Sequence, residues 1–450
     1  MAAETPKPLA TSAVAMAPTL RLPSSHPQRD ELNAEVHARP PETLVAPLRI
    51  SHLALLADAD AREQSWQAVH DLAVRYGARP PEPGTNHYSA DLGPFRLKWE
   101  RHTEFSRCKF IVPGLGTAGD DPFAQPAITA VPADWVAALP GQLIAAAHVA
   151  VLAAPDGPPD HAAIAARMFG GNSLVGAVIA GGAASAYTDF RVHSDGFARV
   201  LVHTVTTTPR HAGRIVQRLL EIDTYRLMAL LALPMARDLT AFLGGREREL
   251  AAVFGALVTA RPADEPGLLD RLTRLAAEVE NREASTLYRF SAAAAYHALI
   301  RRRISELREH RIQGLQTFSE FIERRLAPAM DTCRATAARQ NGLSQRVARA
   351  TGLLSTRVEL TREGQNQAVL ESLNRRIKLQ LRLQQAVEGL SVAAITYYVA
   401  GLVFYAVKGL RAGGLRLDPD LATGVAIPII AVLVALGTRR LHRNVARKED

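Results

Sequence analysis

LSVAAITYYVAGLVFYAV, running from Leu390 to Val407, and LATGVAIPIIAVLVALGT, from Leu421 to Thr438, are two uncharged runs of 18 residues set between basic flanks. As helix, each is about 27 Å long, close to the roughly 30 Å of a bilayer's hydrocarbon core. A helix of this length in a soluble domain usually carries a charge or a polar stripe, and neither run does. A two-helix transmembrane hairpin is the expectation, with a soluble helical hairpin as the alternative. Gly401, Gly424 and Pro428 fall inside the runs, where small residues permit close helix packing and proline can kink a helix.

Arg375, Arg376, Lys378 and Arg382 precede the first run, and Arg439, Arg440, Arg443, Arg447 and Lys448 follow the second. The connecting loop is less basic, with Lys408, Arg411 and Arg416 beside Asp418 and Asp420. Basic residues at span ends stay on the cytoplasmic side, which places both termini there. The same residues are suited to meet anionic lipid head groups.

The 450 residues are 48% hydrophobic and 22% charged, enough for two or three domains with cores, and the formal net charge is +9. No base-reading or stacking module accompanies the basic charge, so nucleic acid is not an expected partner. Cys108 and Cys333 are far apart and lie in no CxxC or Cys/His cluster, so neither a disulfide nor a zinc site is expected. The first 25 residues are rich in Ala, Pro, Ser and Thr, lack a long apolar core, and read as a leader without fixed structure rather than a cleavable signal.

Further in, a short helix over Arg29–His37 would bring Glu31, Glu35 and Arg39 near one face before Pro40 and Pro41. From Leu48 the pattern is strand (48–57), helix (60–76, opening on an Asp cap), then strands 87–92 and 95–112, the second broken near Thr103. Period-2 alternation in KWERHTEFSRCKF, residues 98–110, puts charge on one face of that strand. A second block follows: strand 142–153, helix 160–168, and strands 172–180, 184–192 and 196–205, with turns at Gly181-Gly182 and Ser194-Asp195-Gly196. The two blocks echo each other.

From Pro209 onward the reading is almost wholly helical. Leu268, Leu272, Leu275 and Val279 form a narrow apolar seam, as do Ile300 through Ile322 and Leu370, Leu373, Ile377 and Leu381, which predicts coiled-coil hairpins or a bundle. No strong breaker separates the last of these from Leu390, so a continuous helix into the first apolar run is expected. The fold class is α+β: leader 1–25, α/β head 26–208 with a subdivision near 114–134, helical neck 209–389, hairpin 390–438 and basic tail 439–450.

Three polar clusters could carry chemistry: Glu35, His37 and Arg39; Glu100, Arg101, His102 and Glu104; and Asp189, Arg191, His193 and Asp195. Carboxylates beside a cation and an imidazole serve acid–base work or ligand binding, and equally serve as paired charges at an interface. The structural reading leads, and packing of the two blocks would decide whether the clusters converge. No GxGxxG opens a helix, and GxSxG, HExxH and kinase motifs are missing. The glycines of GGNSLVG, residues 170–176, read as turns. Two spans after a helical stalk resemble the layout of CorA-type channels, but YAVKG at 405–409 replaces their Gly-Met-Asn signature.

LNAEVHARPPE (32–42), WERHTEF (99–105), TDFRVHSDGF (188–197) and RLLEIDTYRLMALLALP (218–234) resemble the signature stretches of a bacterial family of predicted membrane-anchored proteins, domain of unknown function 3422. The resemblance spans roughly residues 26–440 and implies no catalytic residue or cofactor. The expected protein is a self-associating tether, scaffold or sensor of the bacterial inner membrane. An oligomeric channel with two spans per protomer is the alternative, and a membrane-tethered enzyme ranks third.

Overall fold

The computed structural model describes residues 23–30, 32–33, 40–115, 121–413 and 418–446. The described chain divides into two compact units, Met1–Leu250 with Leu275–Arg346, and Ala251–Arg274 with Val347–Asp450. The first unit therefore extends beyond the sheet and takes in helices from the sequence-predicted neck.

In the first unit, β1 (Leu48–Leu56) leads into α1 (Ala59–Arg75), then β2 (His87–Asp91), β3 (Arg96–Arg101) and β4 (Phe105–Pro113). After α2 (Ala133–Ala137), the second block runs β5 (Gln142–Ala153), α3 (His161–Met168), β6 (Val175–Ile179), β7 (Ala184–Thr188) and β8 (Ala198–Thr204). These strands and β9 (His310–Arg311) make one sheet in the order β2-β3-β4-β1-β5-β8-β7-β6-β9. Each block repeats the order first-fourth-third-second strand, joined back to back through β1 and β5. The echo is of order and not of direction: β1 pairs antiparallel with β4, whereas β5 pairs parallel with β8.

The cap of α1 is Asp58, not Asp60; its carboxylate accepts the Ala61 amide at 2.8 Å, satisfying one of the donors that a helix start leaves free. On one face of the sheet α1 lays Val69 and Leu72 over Leu97, Trp99 and Phe110, and Trp99 donates to Ser65 Oγ at 2.7 Å. On the other face α4 (Pro209–Leu230) packs Ile215, Leu219, Leu220 and Ile222 against Ile50, Val149, Val200 and Val202. Each such side chain contributes roughly 1.5–3 kcal/mol on burial. Gly213 on α4 has no substitute: a Cβ there would lie 1.7 Å from the Glu42 carbonyl oxygen. The Pro40–Leu44 strap thus crosses the helix, and the Leu44 amide donates to the Pro209 carbonyl at 3.0 Å.

After α4 come α5 (Ala232–Thr259) and α6 (Glu265–Leu307). The apolar rhythm from Ile300 to Ile322 predicts one helix, and this is corrected. The chain leaves the helix at Leu307, Arg308 adopts a left-handed φ of 48°, and β9 pairs with β6 before α7 (Phe318–Arg325) begins. Thr317 and Glu320 form a reciprocal capping box that restarts the helix. Gly176 is likewise no turn residue: it lies within β6, where a Cβ would press on the Tyr187 ring at 2.8 Å.

In the second unit Glu265, fully buried, pairs with Arg357 at 2.6 Å. The continuous helix expected to enter the first apolar run is present, and neither run begins or ends where its helix does. Leu390 and Val407 both lie inside α8 (Ala327–Ala412), and Leu421 and Thr438 both lie inside α9 (Pro419–Ala446), which also contains Pro428. The physical reason is that loss or gain of side-chain charge does not interrupt the backbone ladder. A left-handed residue, a cap or a proline commonly ends a helix, although α9 runs on through Pro428; α8 has no proline after Pro328.

Among the described residues three helical stretches are long and apolar enough to cross a membrane: Pro209–Thr259, Phe318–Ala412 and Pro419–Thr438. A third of the most apolar window in the first is buried in protein, against 11% and 0% in the other two. Met228, Ala229, Ala232 and Ala236 of the first belong to the core cluster that also takes in the sheet; the protein covers little of the others.

Candidate functional site

The structure sorts the predicted polar residues by strand alternation. Glu100 and Lys98 point from β3 toward α4, as do Arg107 and Lys109 from β4, and together they form a buried layer of charge. Glu100 is fully buried and binds Arg107; Lys98 and Lys109 stand 3.6 and 3.8 Å from its oxygens. Burial alone would raise the Glu100 carboxyl, but Arg107, Lys109 and Lys98 hold it well below the usual range. Glu221 of α4 lies 3.5 Å from the far side of Arg107 and binds Arg303 of α6. At the open end Lys98 reaches Glu42 of the strap at 3.8 Å, with Arg96 and Ser89 on the same carboxylate. His52 of β1 completes the layer, its Nε2 3.1 Å from the Thr224 hydroxyl; burial, then Lys109 and Arg107, keep it neutral. Burial and Arg107 also pull the Lys109 ammonium down to about 7.

Arg101 points to the opposite face, bonded to Asn86 at 3.0 Å and Glu63 at 2.9 Å. With Arg62, Phe105, Tyr225 and Tyr296 it lines a cleft of about 720 Å³, also bordered by His102, whose ring stacks on Phe105 at 4.3 Å. Glu104 turns back onto α6, where Arg289 holds both oxygens at 2.8 and 3.2 Å and Tyr288 donates at 3.1 Å. Burial and the Glu104 carboxylate push the Tyr296 phenol far up, and burial with Glu221 pushes Tyr225 up to about 12.

The third cluster is a set of turn braces. Asp189 accepts from Asn172 at 2.9 Å and the Arg191 amide at 3.1 Å, and faces His193 Nε2 at 3.0 Å. Asp195 accepts the Phe197 amide and lies 3.6 Å from Arg199. Phe190 between them has a φ of 53°, its ring under Arg226 and stacked on Phe321 at 4.5 Å. Glu35, His37 and Arg39 lie outside the described residues, and with them Glu31.

Among the described residues the second and third clusters do not merge into one pocket, yet both meet α4. Its segment EIDTYR, residues 221–226, touches the buried charge through Glu221 and Thr224, the cleft through Tyr225 and the Phe190 turn through Arg226. Sequence reasoning missed these contacts, although the signal was there: Glu221, Asp223, Thr224 and Arg226 crowd polar groups into one short stretch of an otherwise apolar helix. One serine–histidine–aspartate line also exists, Ser51 Oγ to His148 Nδ1 at 2.9 Å and His148 Nε2 to Asp195 at 3.9 Å. Ser51 is fully buried and already accepts the Ile128 amide, so the line braces the sheet. Burial lowers His148 to about 4, which keeps it uncharged. Among the described residues no group of three or more His, Cys, Asp or Glu could hold a metal ion.

No curated protein and no solved structure matches the chain. A family model matches residues 24–445, which takes in the strap, the charged strands, the Phe190 turn, α4 and both apolar runs: the chain belongs to the family described as protein of unknown function, DUF3422.

Proposed function

We propose that this protein is a membrane-anchored scaffold whose head stands in the cytoplasm. The observation that carries the reading is exposed apolar surface: in the two uncharged runs Leu402, Tyr405, Leu421 and Leu433 are 69%, 71%, 71% and 63% exposed. A contiguous apolar surface of this kind on helices long enough to span is stable in lipid and not in water. Basic residues before Leu390 and after Thr438 favour both termini on the cytoplasmic side of the cytoplasmic membrane, and contact with anionic head groups.

Self-association belongs to the same reading. The seam Leu370, Leu373, Ile377 and Leu381 is exposed along its helix, while Leu272, Leu275 and Val279 of the earlier seam are buried. A heptad-like seam left open in one chain is suited to a second copy. The two described polar clusters of the head support a scaffold rather than chemistry, since Glu100 and Glu104 are bound to arginines and Asp189 to an amide within the protein.

Carbonate washing of membranes from cells making the full chain tests the anchor. The protein stays with the lipid if the reading holds; release into the supernatant overturns it. Light scattering of the purified protein, corrected for detergent, should give a dimer or larger assembly that Ile377→Glu dissociates. A monomer at micromolar concentration removes the self-association.

A further inference from the structure

A second cavity, about 520 Å³, opens on the face of β7 and β8 away from α4, under the 154–159 loop and beside α3. Its wall is mostly apolar: Pro155, Pro159, Val178, Val205 and Ile312. Set into that wall are His161, Tyr187 and His203. The Tyr187 ring stands between the two imidazoles, its centroid 5.7 Å from each. Tyr187 is fully buried and His203 is 6% exposed. His161 Nε2, the Tyr187 hydroxyl and His203 Nδ1 all lack a hydrogen bond of good geometry among the described residues. Ser185, cross-strand partner of His203, interacts with the Tyr187 hydroxyl, so that group has one weak partner while the two imidazole nitrogens have none.

Two unpartnered imidazole nitrogens and a weakly held hydroxyl gathered in one apolar wall are unfavourable unless something else meets them. Burial lowers His203 and raises the Tyr187 phenol, so both are neutral near pH 7 and able to donate or accept. Among the described residues no aspartate or glutamate lines the cavity, while Arg311 stands at its rim, paired to Glu320 on the solvent side. The volume falls within the range of small-molecule sites, which combine apolar walls with a few convergent polar groups.

We propose that this cavity binds a small amphipathic carboxylate, its head taken by Tyr187, His203 and His161 and its apolar body by the loop and strand walls. The site is independent of the membrane reading, because every residue in it belongs to the sheet-bearing unit.

The test is calorimetric titration of the full-length protein, in nanodiscs, with 4-phenylbutanoate, and with 4-phenylbutanol as the neutral-headed control. The expected result is saturable binding of the carboxylate, at least fivefold tighter than the alcohol. Tyr187→Phe keeps the ring and removes the hydroxyl, so affinity should fall at least fivefold with the melting temperature unchanged. Val205→Trp, at the exposed mouth, should abolish binding without disturbing the core. No saturable binding to the unsubstituted protein overturns the proposal. So does equal affinity for the alcohol, or binding that Tyr187→Phe leaves intact, which would mean that the unpaired atoms hold enclosed water only.

Discussion

The charged layer under α4 and the apolar runs near the C-terminus reverse the usual placement of side chains in opposite ways. In the layer, Glu100, Arg107, Lys109 and Glu221 are nearly or fully shielded from solvent; in the runs, leucines and tyrosines are more than half exposed. The difference lies in who supplies the partner. Each buried carboxylate meets a cation inside the protein, so the layer's charges are paired from within. Nothing in the described chain covers Leu402 or Leu421, so those surfaces need another phase or another chain. A charge is tolerated in the interior only when paired, and apolar area is tolerated at the surface only when something else covers it.

Removing the pairing should break the layer first. Glu100→Gln leaves Arg107, Lys98 and Lys109 crowded without their shared anion, and should cost about 3–5 kcal/mol of head stability. Denaturant unfolding followed by tryptophan fluorescence, with Trp99 next to Glu100 on β3, reads it; an unchanged midpoint would mean that the charges are not held together. The reverse operation on the tail is next in size. Leu402→Arg places a charge well inside the first run, against an insertion cost of roughly 2.5–3.5 kcal/mol. It should increase carbonate-extractable protein while leaving the head's unfolding midpoint where it was. A loss of head stability instead would deny that the two regions are satisfied separately.

The smallest effect is a pH slope. Lys109 is held at about 7 in the fold by burial and Arg107, whereas an unfolded lysine titrates near about 10.4. Between those values the unfolded chain binds more protons, so this group makes stability rise as pH rises from 7 toward 9. Its burial penalty is fully present below pH 7. The rise should reach about 2 kcal/mol by pH 9 and disappear in Lys109→Met. Above pH 10 the raised tyrosines act with the opposite sign, so the comparison is made below that. A slope of equal size in the substituted protein would assign the titration elsewhere.

Much of the head was legible because its signals are local. The break at Thr103, the Ser194–Gly196 turn and the alternation of KWERHTEFSRCKF all appear where the sequence places them, and Lys98 and Glu100 do share a charged face. Long-range partners were not legible. Glu221 of α4 and Arg107 of β4 are 114 residues apart, and no periodicity links a helix position to a strand position across the sheet. The ninth strand escaped for another reason: two residues cannot show an alternation, and Leu315, Phe318 and Ile322 continue a helical rhythm across it by spacing alone. Gly314, with a φ of 85°, and the Thr317–Glu320 capping box were the local signs of that break. For the tail, composition marked the runs at once, because absence of charge over 18 residues needs no tertiary knowledge. Composition does not mark where a helix starts or stops, so Leu390 and Val407 bound an apolar stretch and not the helix that carries it.

The most direct test of the account is a spin-label scan of residues 390–413 and 418–438 in the full chain reconstituted in lipid, comparing access of oxygen with access of a water-soluble nickel chelate. The account predicts oxygen access and chelate exclusion through both runs, with the pattern reversing over residues 408–413. Chelate access recurring every three to four residues inside the runs would mean that one face of each helix meets water, and would contradict the anchor on which the proposed function stands.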